Sequence, residues 1–301
     1  MTKPKEKKLT IKKSDVTKYG ENSTKIIDVI KVYGTDNTVY ARKGNDKITV
    51  YEGNNHFING DDGNDTIEVK NGNVHSINGG KGNDTLKIKG GNYHYVFGDA
   101  GDDTIYVDAG EVNVVMGGSG NDTIYVRKQA MGSYYSGTAG GIQGGAGNDT
   151  IKVQAGIHHE IRTGSGSDKV ELTGGSDHYV FLDKGTNIVQ VSTADVTLQQ
   201  TSKKSIDKIT VNWSKEIGTL QINTVANASS KYKDYLTITG VKSSDVLIGF
   251  TGRNSTNLSI ASYDMSNIIN IIEWVNNKSF SGIQFDDKKM SFSKINKIAN
   301  Q

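Results

Sequence analysis

The chain has no cysteine and a single proline, Pro4, in 301 residues. Without cysteine there is no disulfide framework and no zinc site built on thiolates. Without proline, nothing interrupts a long hydrogen-bonded ladder, because a central strand must donate every N–H. No apolar run reaches membrane-spanning length, and Met1–Gly20 is lysine-rich without the hydrophobic stretch of a secretory leader. Export, if it occurs, is expected to use a route other than a cleaved leader in this chain. A strong charge of either sign is also missing: 35 Lys+Arg against 33 Asp+Glu leave +2. No basic groove with interleaved aromatics marks a nucleic-acid surface. The nucleophile elbow, the P-loop and the His-Glu-x-x-His zinc motif are absent, His159-Glu160 having no second histidine. The expectation is a protein that is not an enzyme.

Glycine, with 36 copies, is the residue the chain has in excess, and it is periodic. The phrase Gly79-Gly80-Lys81-Gly82-Asn83-Asp84-Thr85-Leu86-Lys87-Ile88 returns at Gly60–Val69, Gly98–Val107, Gly117–Val126 and Gly144–Val153. Weaker copies lie at 41–50, 163–172 and 182–191. Asp46, Asp65, Asp84, Asp103 and Asp122 are spaced by nineteen residues; twenty-seven lead to Asp149, and nineteen more to Asp168. Asn187 takes the next place, Asp207 follows, and Asp28 stands eighteen before Asp46. A fixed period of this length is the mark of a solenoid.

Each unit holds two short strands and two turns, both strands alternating with period two. Inward positions read Ile48/Val50, Ile67/Val69, Leu86/Ile88, Ile105/Val107 and Ile124/Val126 on the first strand. On the second they read Ile58, Ile77, Val96, Val115, Ile161 and Val180. The pattern predicts an all-β fold: a right-handed parallel β-roll, or β-solenoid, with coils about 4.8 Å apart. Residues 1–20 read as a basic arm or cap strand, 21–212 as the roll, and 213–301 as a small β-rich cap. Leu9–Lys13 is expected as an edge strand and Ile268–Val275 as a short helix closing the roll.

The loops carry the chemistry. Gly44, Gly63, Gly82, Gly101, Gly120, Gly147 and Gly166 permit positive φ, which turns carbonyls toward one spot. The carboxylates of Asp46, Asp65, Asp84, Asp103, Asp122, Asp149 and Asp168 close those loops. Like charges stacked about 5 Å apart repel by roughly 3 kcal/mol at an effective dielectric near 20, so the column needs cations. Carboxylates with carbonyls are hard ligands that select calcium, here as several ions in one row. The loops resemble the RTX (repeat-in-toxin, haemolysin-type) calcium-binding repeat, whose pattern G-G-x-G-x-D-x-(aliphatic)-x is met by Gly117-Gly118-Ser119-Gly120-Asn121-Asp122-Thr123-Ile124-Tyr125. The resemblance implies calcium held between adjacent loops, export through type I secretion machinery, and folding outside the cell. It also implies an extracellular or cell-surface location and a structural, adhesive or toxin-associated role. Residues 246–287 resemble the cap that follows such repeats and precedes the secretion signal.

RTX rolls usually carry calcium loops on both edges. Here His56, His75, His94, His159 and His178, with Asn113 once, stand where the second aspartate would be. That predicts one calcium row, on one edge only. Parallel rings stacked along the other edge do not converge on a tetrahedral metal, and burial keeps them neutral. They read as a structural ladder.

The outer faces suggest two alternatives. Tyr93, Tyr95, Phe97, Val112, Val114, Met116, Tyr179 and Phe181 form an apolar outer stripe near Met131, Tyr134 and Tyr135. Such a stripe is covered by the chain itself or binds a surface glycan or protein partner. The nineteen-residue coil also resembles the ice-binding segment of a bacterial RTX adhesin. Lys43, Asp62, Lys81, Ala100, Ser119, Ala146 and Ser165, however, replace that segment's loop threonine.

Overall fold

A computed structural model describes residues 5–110, 114–127, 141–202, 206–213, 217–223, 234–251, 257–272 and 280–299. The chain divides into two units, 1–151 and 152–301.

In the N-terminal unit, one sheet runs Lys5–Ile11, Ile26–Val32, Lys47–Val50, Thr66–Val69, Thr85–Ile88, Thr104–Val107 and Thr123–Val126. The other runs Thr17–Tyr19, Thr38–Tyr40, Phe57–Asp62, Ser76–Lys81, Tyr95–Ala100, Val114–Ser119 and Ile142–Ala146. The chain alternates between them, so every strand pairs in parallel with its counterpart one coil away. Register puts like on like: Ile48, Ile67, Leu86, Ile105 and Ile124 form one column and Ile58, Ile77, Val96 and Val115 another. These side chains are buried, while residues between them point outward. A core two side chains thick follows directly from the two-residue period.

The C-terminal unit starts in the same way. Lys169–Leu172, Thr186–Val191, Ile206–Asn212, Asp234–Thr239 and Phe280–Gln284 stack in parallel, as do Glu160–Ser165, His178–Leu182, Val196–Gln200, Gly218–Asn223 and Asn267–Ile272. Parallel pairing therefore continues beyond the last glycine-rich loop. Antiparallel strands finish each sheet: Lys289–Ser291 on one, Asn257–Ala261 and Leu247–Thr251 on the other.

The helix expected at Ile268–Val275 is corrected: Asn267–Ile272 is a strand, and 273–275 lie outside the described residues. Its buried Ile269 and Ile271 alternate with period two. Asn267 anchors its start, accepting the Ile217 N–H at 2.8 Å and donating to the Trp213 carbonyl at 3.0 Å. The described helix is Phe292–Ala299, which buries Ile295. No helix among the described residues is long and apolar enough to cross a membrane.

A candidate metal row on the aspartate edge

Each repeat aspartate ends a glycine-rich loop and leads into a first-sheet strand, which turns its carboxylate inward. Backbone N–H groups then link the column. Asp28 donates to Asp46 Oδ1 at 2.7 Å, Asp46 to Asp65 at 2.6 Å, and Asp65 to Asp84 at 2.6 Å. Asp84 donates to Asp103 at 2.7 Å, Asp103 to Asp122 at 2.8 Å, and Asp122 to Asp149 at 2.8 Å. One oxygen of each carboxylate is thereby used.

The other oxygen is not. Oδ2 of Asp46, Asp65, Asp84, Asp103 and Asp122 is buried and has no hydrogen-bond partner in the protein. Burial pushes Asp65 up to about 8, Asp84 and Asp103 to about 7, and Asp46 and Asp122 to about 6. The N–H bond to Oδ1 opposes that rise, and for Asp65 the neighbouring Asp84 and Asp46 add to it. A buried carboxylate oxygen without a donor is costly, and five in a row need a compensating positive charge.

Glycines make the space in front of those oxygens. A Cβ on Gly79 would lie 2.4 Å from Asp84 Oδ2 and 2.7 Å from the Gly98 carbonyl oxygen. Gly60, Gly98 and Gly117 stand in the same relation to Asp65, Asp103 and Asp122. Oxygens from two coils thus converge where no donor stands. Gly63, Gly82, Gly101 and Gly120 have φ of +143°, +124°, +129° and +129° and abut the carbonyl of the preceding coil's glycine. Gly44, Gly147 and Gly166 share the left-handed φ, at +137°, +134° and +138°. Around the outside, Oδ1 of Asn45 accepts the Asn64 N–H, Asn64 that of Asn83, and Asn121 that of Asn148, each at 2.9 Å.

Sequence reasoning named the aspartates and the glycines two residues before them. It missed Gly60, Gly79, Gly98 and Gly117 and the asparagine ladder, although a doubled glycine and an Asn-Asp pair were visible in the repeat. Two of the seven aspartates differ from the rest: Ala41 stands before Asp46, and Thr163 before Asp168, where the others have glycine. Asp168 donates its N–H to Asn187 Oδ1 at 3.4 Å. At the N-terminal end, Lys7 lies in register with Asp28 and pairs with Glu21, whose N–H donates to Asp28 Oδ2 at 2.5 Å.

The opposite edge is organised differently. His56 and His75 stack with centroids 4.8 Å apart, His75 and His94 at 5.0 Å, and His159 and His178 at 5.3 Å. Nδ1 of His56 accepts the Asn37 N–H at 3.1 Å, and Nδ1 of His75 accepts that of His56 at 3.2 Å. Nε2 faces the carbonyl four residues earlier: Glu52 for His56, Gly90 for His94, Ala155 for His159 and Gly174 for His178. The pairing specifies a neutral ring with its proton on Nε2. Burial pushes His75 down to about 3, helped by the neighbouring His94 and His56, and His159 to about 4. Asn113 lies outside the described residues.

Among the described residues no three His, Cys, Asp or Glu side chains converge as a metal cluster. An ion at the aspartate edge must therefore combine few carboxylates with backbone carbonyls, a donor set that suits calcium and not zinc or copper. Of the outer stripe, Tyr93 and Tyr95 are each 48% exposed and Tyr179 42%. Phe97 and Phe181 are half-buried, Phe181 beneath the Arg162 guanidinium at 4.2 Å. Tyr134 and Tyr135 lie outside the described residues.

Stacked parallel coils of about nineteen residues, with donor-free oxygens lining one turn, define a β-solenoid whose loops are built for a hard cation. The family model of the RTX calcium-binding nonapeptide repeat matches residues 32–67, 57–75, 76–92, 95–111, 111–126 and 137–156. These repeats belong to that family: they are calcium-binding repeats of a kind typical of secreted proteins. No curated protein matches the chain.

Proposed function

We propose that the chain is a calcium-driven folding module of an exported protein, with a structural, adhesive or toxin-associated role and no catalytic step of its own. The observation that carries this reading is the set of buried, partnerless Oδ2 atoms on Asp46, Asp65, Asp84, Asp103 and Asp122. Calcium, when bound, supplies the divalent charge that those oxygens lack. Everything else falls to the chain. The aspartate Oδ1 atoms tie coil to coil, and Gly60, Gly79, Gly98 and Gly117, five residues before their aspartates, leave Oδ2 beside the next coil's carbonyl. The asparagine ladder fixes the loop on its solvent side. In calcium-poor cytosol the column opposes folding, which keeps the chain fit for type I export. Outside the cell the same column favours folding, as one row of ions along one edge.

Circular dichroism melts in calcium and in chelator test the reading. We expect a large loss of Tm in chelator, and equal melts would overturn it. A second reading rests on the exposed Tyr93, Tyr95 and Tyr179, which suit a polysaccharide or cell-surface ligand. A glycan array with the parent chain and Tyr95→Ala separates the two, since calcium-dependent folding alone leaves no glycan signal for the substitution to remove.

A further inference from the structure

The C-terminal unit continues the aspartate column with a different chemistry. Asn187 occupies the repeat position, and its Oδ1 accepts the Asp168 N–H as the aspartates' Oδ1 atoms do. Its other side-chain atom is a donor, and Nδ2 reaches the Asp183 carbonyl and Asp207 Oδ1, both at 3.0 Å. Gln200 Nε2 meets the second oxygen of Asp207 at 2.6 Å. All three side chains are buried. Both oxygens of Asp207 are thus met by amide N–H groups, whereas Oδ2 of Asp65 or Asp84 meets none. The space closes as well: Leu182, fully buried, stands five residues before Asn187, where Gly79 stands before Asp84.

We propose that the carboxamides of Asn187 and Gln200 replace a calcium ion in these coils, so that strands 186–191 and 206–212 hold their fold without metal while the repeats before them do not. A carboxamide places two N–H donors where a repeat aspartate presents a bare oxygen, and a donor bonded to a buried carboxylate does locally what a cation does elsewhere. This inference rests on the calcium reading of the repeats.

Hydrogen exchange on the full chain, in calcium chloride and in chelator, tests it. In chelator the amides of 66–69 and 85–88 lose protection by roughly tenfold or more, while those of 186–191 and 206–212 keep theirs. Equal loss in both stretches overturns the inference and leaves the calcium reading standing. No calcium response in the repeats overturns both. The double variant Asn187→Asp with Leu182→Ala recreates the pairing of Asp46 with Ala41. It makes 186–191 lose protection in chelator and regain it in calcium. A folded double variant indifferent to calcium there overturns the inference, and if that variant does not fold, the parent comparison decides.

Discussion

A single methyl group is enough to perturb the aspartate edge. At Gly79 it would press on both Asp84 Oδ2 and the Gly98 carbonyl. Gly79→Ala should therefore cost about 1–3 kcal/mol of stability in calcium, read from denaturant midpoints. Asp84→Asn should act in opposite directions. It removes a buried charge and so raises Tm in chelator, but it removes a metal ligand and lowers stability in calcium by about 1–3 kcal/mol. Much of this site was legible in the sequence, because an aspartate returning every nineteen residues is conspicuous. Gly79 escaped because glycine is ordinarily explained by positive φ. Its conformation is ordinary, and what demands glycine is an oxygen from the same loop and another from the next coil. That second contact exists only once coils stack.

Among elements, the two edges respond to pH with opposite sign. Aspartates raised above their ordinary value of about 4 bind extra protons in the metal-free fold. Their stabilising contribution is present below that value and is lost as pH climbs to about 7 or 8 for Asp84, Asp103 and Asp65. Histidines lowered from about 6.5 contribute above that value and lose it as pH falls. For His159 and His75 the loss is complete only near 4 and 3. Between about 7 and 8 the histidines of the unfolded chain are mostly neutral while Asp65, Asp84 and Asp103 still titrate, so the Tm in chelator should fall as pH rises, while the Tm in calcium should not. A metal-free melt that climbs across that window would contradict this. In the histidine column, His75→Phe keeps a stacked ring but strips the His56 N–H of its acceptor. The loss should be about 1–3 kcal/mol in urea melts at neutral pH. Strand alternation was readable wherever glycine punctuated it. It failed at Ile268–Val275, an isoleucine-rich run without such marks, where strand Gly218–Asn223 supplies the ladder that makes Asn267–Ile272 extended.

On the scale of the whole chain, the solenoid is read most easily where its loops are most regular. After Trp213 the glycine phrase is gone, yet Asp234–Thr239 still pairs with Ile206–Asn212, and Phe280–Gln284 with Asp234–Thr239. What persists is the inward column of Ile209, Leu236 and Ile283, which a search for glycine loops overlooks. The antiparallel strand Lys289–Ser291 then lies against Phe280–Gln284 and ends that sheet. Truncation before Phe280 should bare the ladder of Asp234–Thr239, and light scattering should report self-association absent from the full chain.

The junction between Asp122 and Asp149 bears on what this protein can tolerate. Twenty-seven residues separate the two, against nineteen for Asp103 and Asp122, yet both steps are closed by bonds of 2.8 Å. Val115 and Ile142 also stay in register. The surplus is confined between Arg127 and Gly141. The edge keeps time by coils rather than by residues, so a guest peptide spliced into that interval would ride on the lattice as cargo without shifting its beat.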